Sequence, residues 1–370
     1  MKTMKTMKTM KTMKTMKTMK TMKTMKYLLI ASFAFTIVSC SDEANDPIYD
    51  TFEDGLFVVN EGNFGTSNAS LSYIDKNDRV YNNIFENRNG FPLGDQAQSI
   101  TTIDEKAYIV VSNSNKVIVA NSRNMDYITE ISENITTPRY ITQVSEGKAY
   151  LSEWGADVIH VIDLNNYEII KSVSVGKDPE EIVISNGFAY VCNSGNSWGS
   201  IDNTVSVIDI SSDEVVKTLT LNDKPTTATV DGLGNVWVIC KGNTVYDQKT
   251  WEIISQTAGS LSLIDGITNE IKNQFIFENN PSLGGLICDY SNLYFQVNQS
   301  IVSMSVFSTE LDTNQIASGN YYGQFGMYDN SIYAADAKDF SQAGDVYKYT
   351  KDGVLTNTYQ VGIIPGNFGF

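Results

Sequence analysis

A short apolar strand that contains one aromatic residue recurs seven times along the 370-residue chain. The aromatic residues are Phe57, Tyr108, Tyr150, Tyr190, Trp237, Tyr294 and Tyr333. The intervals between them are 51, 42, 40, 47, 57 and 39 residues. A period of about 40 residues is typical of β-propeller blades, which bury their faces by packing on neighbouring blades. The spacing therefore predicts an all-β fold over residues 55–370: a seven-bladed β-propeller of four-stranded blades.

Two other signals recur in phase with the aromatic residues. Four of the following strands end in Ile-Asp, at residues 74–75, 162–163, 208–209 and 264–265. The Asp side chain can accept backbone N–H groups of the next turn. A proline loop then precedes the next unit, as at Pro138, Pro179 and Pro225, because proline lacks a donor and suits a connection just before a strand. After residue 50 no segment has the sustained apolar spacing of an amphipathic helix.

The chain end predicts how the ring closes. Residues 364–370 match the proline loop and the innermost strand of a blade but lack its other strands. The strands that begin at Leu56 lack an innermost strand. We therefore expect the C-terminal strand to pair with the N-terminal strands in one blade and to seal the ring non-covalently.

The N-terminal segment predicts export and lipidation. Residues 1–24 repeat Met-Lys-Thr eight times, without an apolar period. From Met25 the chain has a lysine, an apolar run over residues 27–38 and then Cys40 in a lipobox-like setting. The run is too short to remain as a membrane-spanning helix. Met25 is thus a candidate true start, with the repeat as an upstream coding duplication. An ordinary secretion signal with a chance cysteine is the alternative to a lipid on Cys40.

The expected organisation has three parts. Residues 1–39 form the repeat and signal peptide, residues 40–54 form an acidic flexible tether from the lipidated Cys40, and residues 55–370 form the propeller. The stretch Ser-Asp-Glu at residues 41–43 resembles the acidic export tag of Bacteroidetes surface lipoproteins. We therefore expect a lipid-anchored protein of the outer membrane that faces the cell exterior.

The net charge limits the partners that the protein can bind, and the cysteine content indicates the state of its thiols. From Cys40 onward there are 18 basic and 43 acidic residues, a net charge of about −25. Such a surface repels nucleic acid and anionic lipid, so we expect no nucleic-acid partner; it serves either solubility or the steering of a cationic partner. Cys192, Cys240 and Cys288 lie in apolar strands and are expected to be buried free thiols, although the sequence leaves one disulfide pair open.

One face of the predicted disc carries the informative loops. The proline loops and the loops after the aromatic strands open on this face, with the largest insertions at residues 193–203 and 241–259. The predicted ligand-binding residues are Asn63, Phe64, Asn113, Arg139, Trp154, Asn193, Trp198, Tyr321, Tyr322 and Phe368. A neutral surface of amides and aromatic rings suits a large, polar, uncharged ligand. Alternatively, the Asn, Gly and Ser residues only form turns and the rings plug the channel mouth.

Catalysis has little support in the sequence. The single histidine, His160, lies in a strand and is expected to be a packed or surface side chain. The sequence has no nucleophile elbow, phosphate loop or zinc motif, and Asp336, Asp339 and Asp345 do not have the spacing of a calcium loop. We therefore predict a protein that is not an enzyme, with no catalytic residues, no metal and no cofactor.

The repeated strand (YVCN at residues 190–193), the Val-Ile-Asp strands and the proline loops resemble the YVTN/YncE-like surface propellers over residues 55–370. Residues 55–75 (GLFVVNEGNFGTSNASLSYID), with the lipobox and the acidic tag, resemble the cobalamin-capturing BtuG-type lipoproteins of Bacteroidetes. This resemblance implies that the propeller binds cobalamin (vitamin B12) or a related corrinoid on one face. The corrinoid would be a transported ligand rather than a cofactor, handed on unreacted to a TonB-dependent outer-membrane transporter.

Two other functions remain open. One is an interaction propeller that binds a protein or a glycan at the cell surface, because aromatic loops would serve it equally well. The other is a propeller-type lyase or lactonase, which needs convergent carboxylates or a histidine at the channel mouth.

Overall fold

A computed structural model of the chain describes residues 51–195 and 200–370. Within these residues the strands form seven four-stranded antiparallel sheets and one added hairpin. The sheets are the blades of a seven-bladed β-propeller, which confirms the predicted fold. In blades 2–7 the chain runs from the innermost strand at the axis to the outermost strand, and then enters the next blade.

The strand bounds follow one pattern, from inner to outer strand. Blade 1 consists of β1 (Gly55–Asn60), β2 (Ser70–Asp75) and β3 (Val80–Tyr81), completed by the C-terminal β30 (Pro365–Gly369). Blade 2 consists of β4 (Ala97–Ile103), β5 (Lys106–Val111), β6 (Lys116–Asn121) and β7 (Tyr127–Ile131). Blade 3 consists of β8 (Pro138–Ser145), β9 (Lys148–Glu153), β10 (Val158–Asp163) and β11 (Glu168–Ser174). Blade 4 consists of β12 (Pro179–Ser185), β13 (Phe188–Gly195), β14 (Ile201–Asp209) and β15 (Glu214–Thr220).

The later blades repeat the pattern, with one insertion. Blade 5 consists of β16 (Pro225–Val230), β17 (Val236–Cys240), β20 (Ser260–Asp265) and β21 (Glu270–Ile276), and carries a hairpin of β18 (Asn243–Tyr246) and β19 (Ile253–Thr257). Blade 6 consists of β22 (Leu283–Asp289), β23 (Asn292–Val297), β24 (Ser300–Ser305) and β25 (Asn314–Ser318). Blade 7 consists of β26 (Tyr322–Tyr328), β27 (Ser331–Asp336), β28 (Ala343–Thr350) and β29 (Leu355–Ile363).

The seven aromatic residues lie on the second strand of each blade and are buried, at 0–4% exposure. Two of their hydroxyls also join neighbouring blades. The Tyr150 hydroxyl donates to Asp213 in blade 4, and the Tyr190 hydroxyl donates to Asn269 in blade 5. The aromatic repeat therefore supplies both the core of each blade and part of the contact between blades.

The Ile-Asp turns and the thiols also agree with the sequence. The Asp163, Asp209 and Asp265 side chains each accept the backbone N–H two residues on, at 2.8–2.9 Å. Among the described residues the three cysteines are unpaired; Cys192 and Cys240 are buried and Cys288 is partly buried.

The ring is closed as predicted. β30 pairs antiparallel with β1, with Val58 opposite Phe368 and Phe57 opposite Gly369. The backbone N–H of Glu61 donates to the Ile364 carbonyl at 2.8 Å and extends this pairing. Blade 1 therefore takes its inner strand from one end of the described chain and its other strands from the opposite end.

Side-chain hydroxyls tie neighbouring inner strands together around the axis. The Ser99 and Thr101 hydroxyls of β4 donate to the Arg139 and Ile141 carbonyls of β8, both at 2.7 Å. The Thr142 hydroxyl of β8 donates to the Ile182 carbonyl of β12 at 3.3 Å. Adjacent inner strands belong to different sheets, so no backbone ladder joins them. These hydrogen bonds therefore satisfy carbonyl groups that would otherwise lack a partner at the axis.

Two elements differ from the sequence expectation. A short helix, α1 (Ile84–Asn89), lies between blades 1 and 2 and buries Ile84 and Phe85; its six residues are too few to show helical periodicity. The insertion in blade 5 forms the β18–β19 hairpin rather than a loop. A 3₁₀ turn covers Ser112–Ser114. No helix in the described part of the chain is long and apolar enough to cross a membrane.

Candidate binding site

Every blade has an irregularity in its inner strand at the same end. The register between the inner and second strands shifts at this point in all seven described blades. A bulge leaves residues out of the ladder and re-aims their side chains. The residues released in this way include Gln98, Arg139, Tyr140, Glu180, Thr226, Gly285, Gly323, Gln324 and Gly366.

These residues line a cavity of about 500 Å³ at the end of the propeller axis. Residues that follow the second strands join them, including Glu61 after β1, Trp154 after β9 and Lys241 after β17. The proline loops and the loops after the aromatic strands therefore open on one face, as predicted. We call it the cavity face. The volume lies in the range of small-molecule binding sites.

An ion pair with an aromatic neighbour forms one wall of the cavity. Arg139 donates to both carboxylate oxygens of Glu180, at 3.1 and 3.3 Å. The guanidinium carbon lies 4.0 Å from the centroid of a Trp154 ring, so the ion pair also has a cation–π contact. Both charged side chains are largely buried, at 15% and 11% exposure. The pair fixes the orientation of the Trp154 ring at the cavity.

The opposite wall comes from blades 1 and 7. The Tyr322 hydroxyl donates to Glu61 at 3.0 Å, and the Tyr322 ring meets the edge of Phe340 at 5.3 Å between centroids. The Asn63 amide donates to the Phe340 carbonyl at 2.5 Å and joins the two blades. Burial raises the pKa of Glu61, against the opposing effects of the Tyr322 hydrogen bond and the Arg139 charge.

Amides and a phenol form the floor of the cavity. The Gln98 amide of blade 2 donates to the Tyr140 hydroxyl of blade 3 at 3.2 Å. The Gln324 amide of blade 7 donates to the Thr227 hydroxyl of blade 5 at 3.2 Å. These four side chains come from non-adjacent as well as adjacent blades, so they link the ring across its axis.

Below this floor lies a second axial space of about 310 Å³, which also borders Tyr140 and Gln324. Glu181 lines it and accepts the Ala228 backbone N–H at 3.0 Å. Burial, aided by the negative charge of Glu180, raises the pKa of Glu181 to about 8. The carboxyl therefore holds a proton in the folded chain at pH values where an unfolded glutamate has lost it.

This shift predicts a pH-dependent stability. As the pH rises from about 4.5 to about 8, the unfolded state loses its proton and the folded state keeps it, so stability falls. Glu181→Gln should remove this loss. We expect a variant about 4 to 5 kcal/mol more stable than the native chain at pH 8.5 and nearly equal to it at pH 4.5. Urea unfolding at the two pH values measures the difference. Glu133→Gln, at an exposed loop position, is the matched control; an equal gain in both variants would refute the assignment.

Of the predicted ligand-binding residues, the structure brings Arg139, Trp154, Tyr321 and Tyr322 to the cavity. Tyr321 is mostly core: it is 9% exposed and its hydroxyl lies 3.1 Å from that of Tyr349. Trp198, like Cys40, lies outside the described residues.

Other predicted residues lie near the cavity without lining it. Asn63 and the 73%-exposed Phe64 lie in the loop after β1. Asn113 is exposed, and its amide donates to Asp95. Phe368 is buried in the closing strand and borders the lower axial space instead.

Asn193 has a structural position. It is fully buried, and its amide donates to the Thr204 and Ser206 hydroxyls of the next strand, both at 3.0 Å. Asn60 occupies the equivalent place in blade 1, opposite Pro365, and donates to Ser72 at 2.9 Å. The Asn of the repeated strand therefore holds its blade together and does not line the cavity.

Five cavity-lining residues are not among the predicted ligand-binding residues: Gln98, Tyr140, Glu180, Gln324 and Lys241. A usable signal existed for some of them, because Tyr140 and Glu180 closely follow the proline that opens an inner strand. With Arg139, Glu180 and Lys241 at its walls, the site is not the neutral surface that the loop composition suggests.

The histidine lies away from the cavity lining. His160 is buried in blade 3, with Nε2 2.6 Å from Glu153 and Nδ1 2.9 Å from Ser172, so it is a packed side chain as expected. In the described residues no group of three or more His, Cys, Asp or Glu side chains is placed to hold a metal ion.

Comparison with known proteins gives a family and a fold. The family model described as "Domain of unknown function (DUF5074)" matches residues 54–254. No curated protein sequence matches the chain.

Several solved propellers share the architecture. Kuenenia stuttgartiensis hydrazine synthase superposes with a TM-score of 0.58 at 16% identity, over 73% of this chain and 88% of that one. A streptogramin B lyase gives 0.56 at 13% identity, over 74% and 87%. Apo AztD from Citrobacter koseri gives 0.52 at 12% identity, over 85% and 97%. At such low identity the likeness shows the fold alone.

Proposed function

Because the chain belongs to the DUF5074 family, whose description names no activity, we propose its function from its own cavity: capture of a large polar ligand, with cobalamin or a related corrinoid as the leading candidate. The observation that carries the proposal is the convergence of the bulged inner-strand residues on one solvent-open cavity. Residues from seven separate blades line a single ligand-sized space with amides, hydroxyls, rings and charged side chains. A rigid site of this kind binds without first having to order itself.

The chemistry of the lining suits a corrinoid. A corrinoid is a large macrocycle fringed with amide groups, and the Gln98, Gln296 and Gln324 side chains can donate to amide carbonyls and accept from amide N–H groups. The ligand is larger than the cavity. Its amide edge would enter the cavity while its macrocycle lies across the mouth, within reach of exposed rings such as Phe64 and Phe340.

The cellular role follows from the same proposal. With a lipid on Cys40 the propeller would be held at the outer membrane, facing the exterior, and would pass its ligand to a TonB-dependent transporter.

Equilibrium titration of cyanocobalamin into the soluble chain from Asp46 onward tests the capture function. We expect saturable binding at micromolar concentration or below. Trp154→Ala should weaken it at least about tenfold, because the ring is a cavity wall. Trp251→Ala is the matched control, since Trp251 is 74% exposed on the blade 5 hairpin. The absence of saturable binding would reject the corrinoid and favour a protein or glycan partner.

One observation favours a second candidate, a propeller-type lyase or lactonase. The Glu61 and Glu180 carboxyls both line the cavity, and the raised pKa of Glu61 suits a proton donor. Recovery of the bound corrinoid unchanged in mass, and no turnover of a lactone series, support capture. Turnover that is lost in Glu61→Gln would replace capture with catalysis.

A further inference from the structure

One cation at the cavity has no ion-pair partner in the described part of the chain. Four charged side chains line the cavity: Glu61, Arg139, Glu180 and Lys241. Arg139 and Glu180 neutralise each other through two hydrogen bonds. Glu61 accepts a hydrogen bond from the Tyr322 hydroxyl at 3.0 Å. Lys241 is the remaining cation at the cavity, and it has no ion-pair partner among residues 51–195 and 200–370.

Lys241 is also available to a ligand. It directly follows β17 on the cavity face, and its backbone N–H donates to the Lys224 carbonyl at 2.9 Å, which fixes the start of its side chain. The residue is solvent-exposed. A lysine ammonium has three donors and no acceptor, so an oxygen-rich anionic group is its natural partner.

A hydroxyl nearby points to the same chemistry. Thr226 lines the same cavity in the same blade, one residue after Pro225, which pairs with Cys240 next to Lys241. The Thr226 hydroxyl is buried and has no hydrogen-bond partner in the described chain. A buried polar group without a partner costs free energy, and an acceptor brought by a ligand is one way to recover it.

The surroundings limit how much negative charge a ligand can carry. From Thr51 onward the chain has 18 basic and 39 acidic residues, so its long-range field repels polyanions. A single cavity lysine without an ion pair, in an acidic protein, therefore favours a ligand with one acidic group over a polyphosphate or a nucleic acid.

We propose that Lys241 is an oxyanion subsite of the cavity, and that the captured ligand carries one carboxylate or phosphodiester on an otherwise uncharged body. This inference deepens the proposed capture function and rests on it. Cyanocobalamin fits this class, because its nucleotide arm contains one phosphodiester beside neutral amides. Dicyanocobinamide lacks that phosphodiester and offers a matched comparison.

The subsite is tested first without a corrinoid. The lysines are labelled by reductive ¹³C-methylation, and the Lys241 resonance is identified by its absence from Lys241→Gln. Sodium dimethyl phosphate and, separately, sodium acetate are titrated against equal concentrations of sodium chloride. We expect a saturable shift of the Lys241 resonance, and the anion that binds more tightly distinguishes a phosphodiester from a carboxylate. A response no larger than that to chloride overturns the subsite.

The second arm uses the corrinoids. Lys241→Gln should weaken cyanocobalamin binding about tenfold and dicyanocobinamide binding much less. Lys249→Gln, the same charge change on the exposed hairpin, should leave both affinities unchanged. Equal cyanocobalamin affinity in Lys241→Gln and the native chain overturns the subsite and leaves capture standing. A saturable anion shift without corrinoid binding supports the subsite and rejects the corrinoid.

Discussion

Removal of residues 364–370 is expected to unfold the propeller or lower its stability by at least about 5 kcal/mol, comparable with the whole stability of many domains. These residues contain β30, the inner strand of blade 1, in which Asn367, Phe368 and Gly369 are buried. Their loss exposes the edge of β1 and opens the ring between blades 7 and 1. Urea unfolding and far-ultraviolet circular dichroism of the truncated chain measure the effect.

Two point variants distinguish the stability that ring closure contributes from a general effect of shortening the chain. Phe368→Ala should cost about 3 kcal/mol, because the ring packs with Val58 and Tyr333 in the core between the blades. Phe370→Ala is the control: its ring is 57% exposed and stacks on Tyr328 at the surface, so the cost should stay below about 1 kcal/mol. Unchanged melting of the truncated chain would contradict closure by β30.

The second large effect concerns the ion pair in the cavity wall. Arg139→Met should destabilise the fold by about 3 kcal/mol, because it leaves the largely buried Glu180 carboxylate without its bidentate partner. The same variant should weaken ligand binding, since the Trp154 ring loses the cation that lies over its face. Urea unfolding at pH 7 and cyanocobalamin titration measure the two losses.

The double variant Arg139→Met/Glu180→Gln shows whether the loss of stability comes from the unpaired Glu180 carboxylate. With no buried carboxylate left, most of the stability should return, while the weaker binding should remain. Arg139→Lys should recover little, because an ammonium cannot reproduce the two parallel hydrogen bonds. A loss below about 1 kcal/mol in Arg139→Met would mean that solvent already screens the pair.

The fold could be predicted because the same packing requirement recurs in all seven blades and leaves the same residue pattern in the sequence each time. Each blade needs a large buried side chain on its second strand, so the aromatic residues recur in phase, from Phe57 to Tyr333. The Asp side chains that close the Ile-Asp turns, such as Asp209, recur for a similarly local reason. Ring closure followed from counting strands at the two ends of the repeat.

The site was less predictable because it depends on register rather than composition. Asn193 and Asn60 resemble ligand-binding amides in the sequence, but each faces the next strand of its own blade. Glu180 resembles an ordinary loop carboxylate, yet a bulge turns it toward the axis and Arg139 neutralises it. Whether a residue enters the ladder or leaves it was not visible in alternation patterns.

The bulges in the inner strands have a consequence for how such a protein can diversify. The residues that they release are contributed by seven inner strands whose starts lie 39–58 residues apart along the chain. Each of these strands is anchored by the buried core of its own blade. Substitutions at released positions such as Gln98 and Thr226 need not disturb that core. New ligand specificities can therefore arise by independent substitutions at the cavity, while the buried cores of the blades stay unchanged.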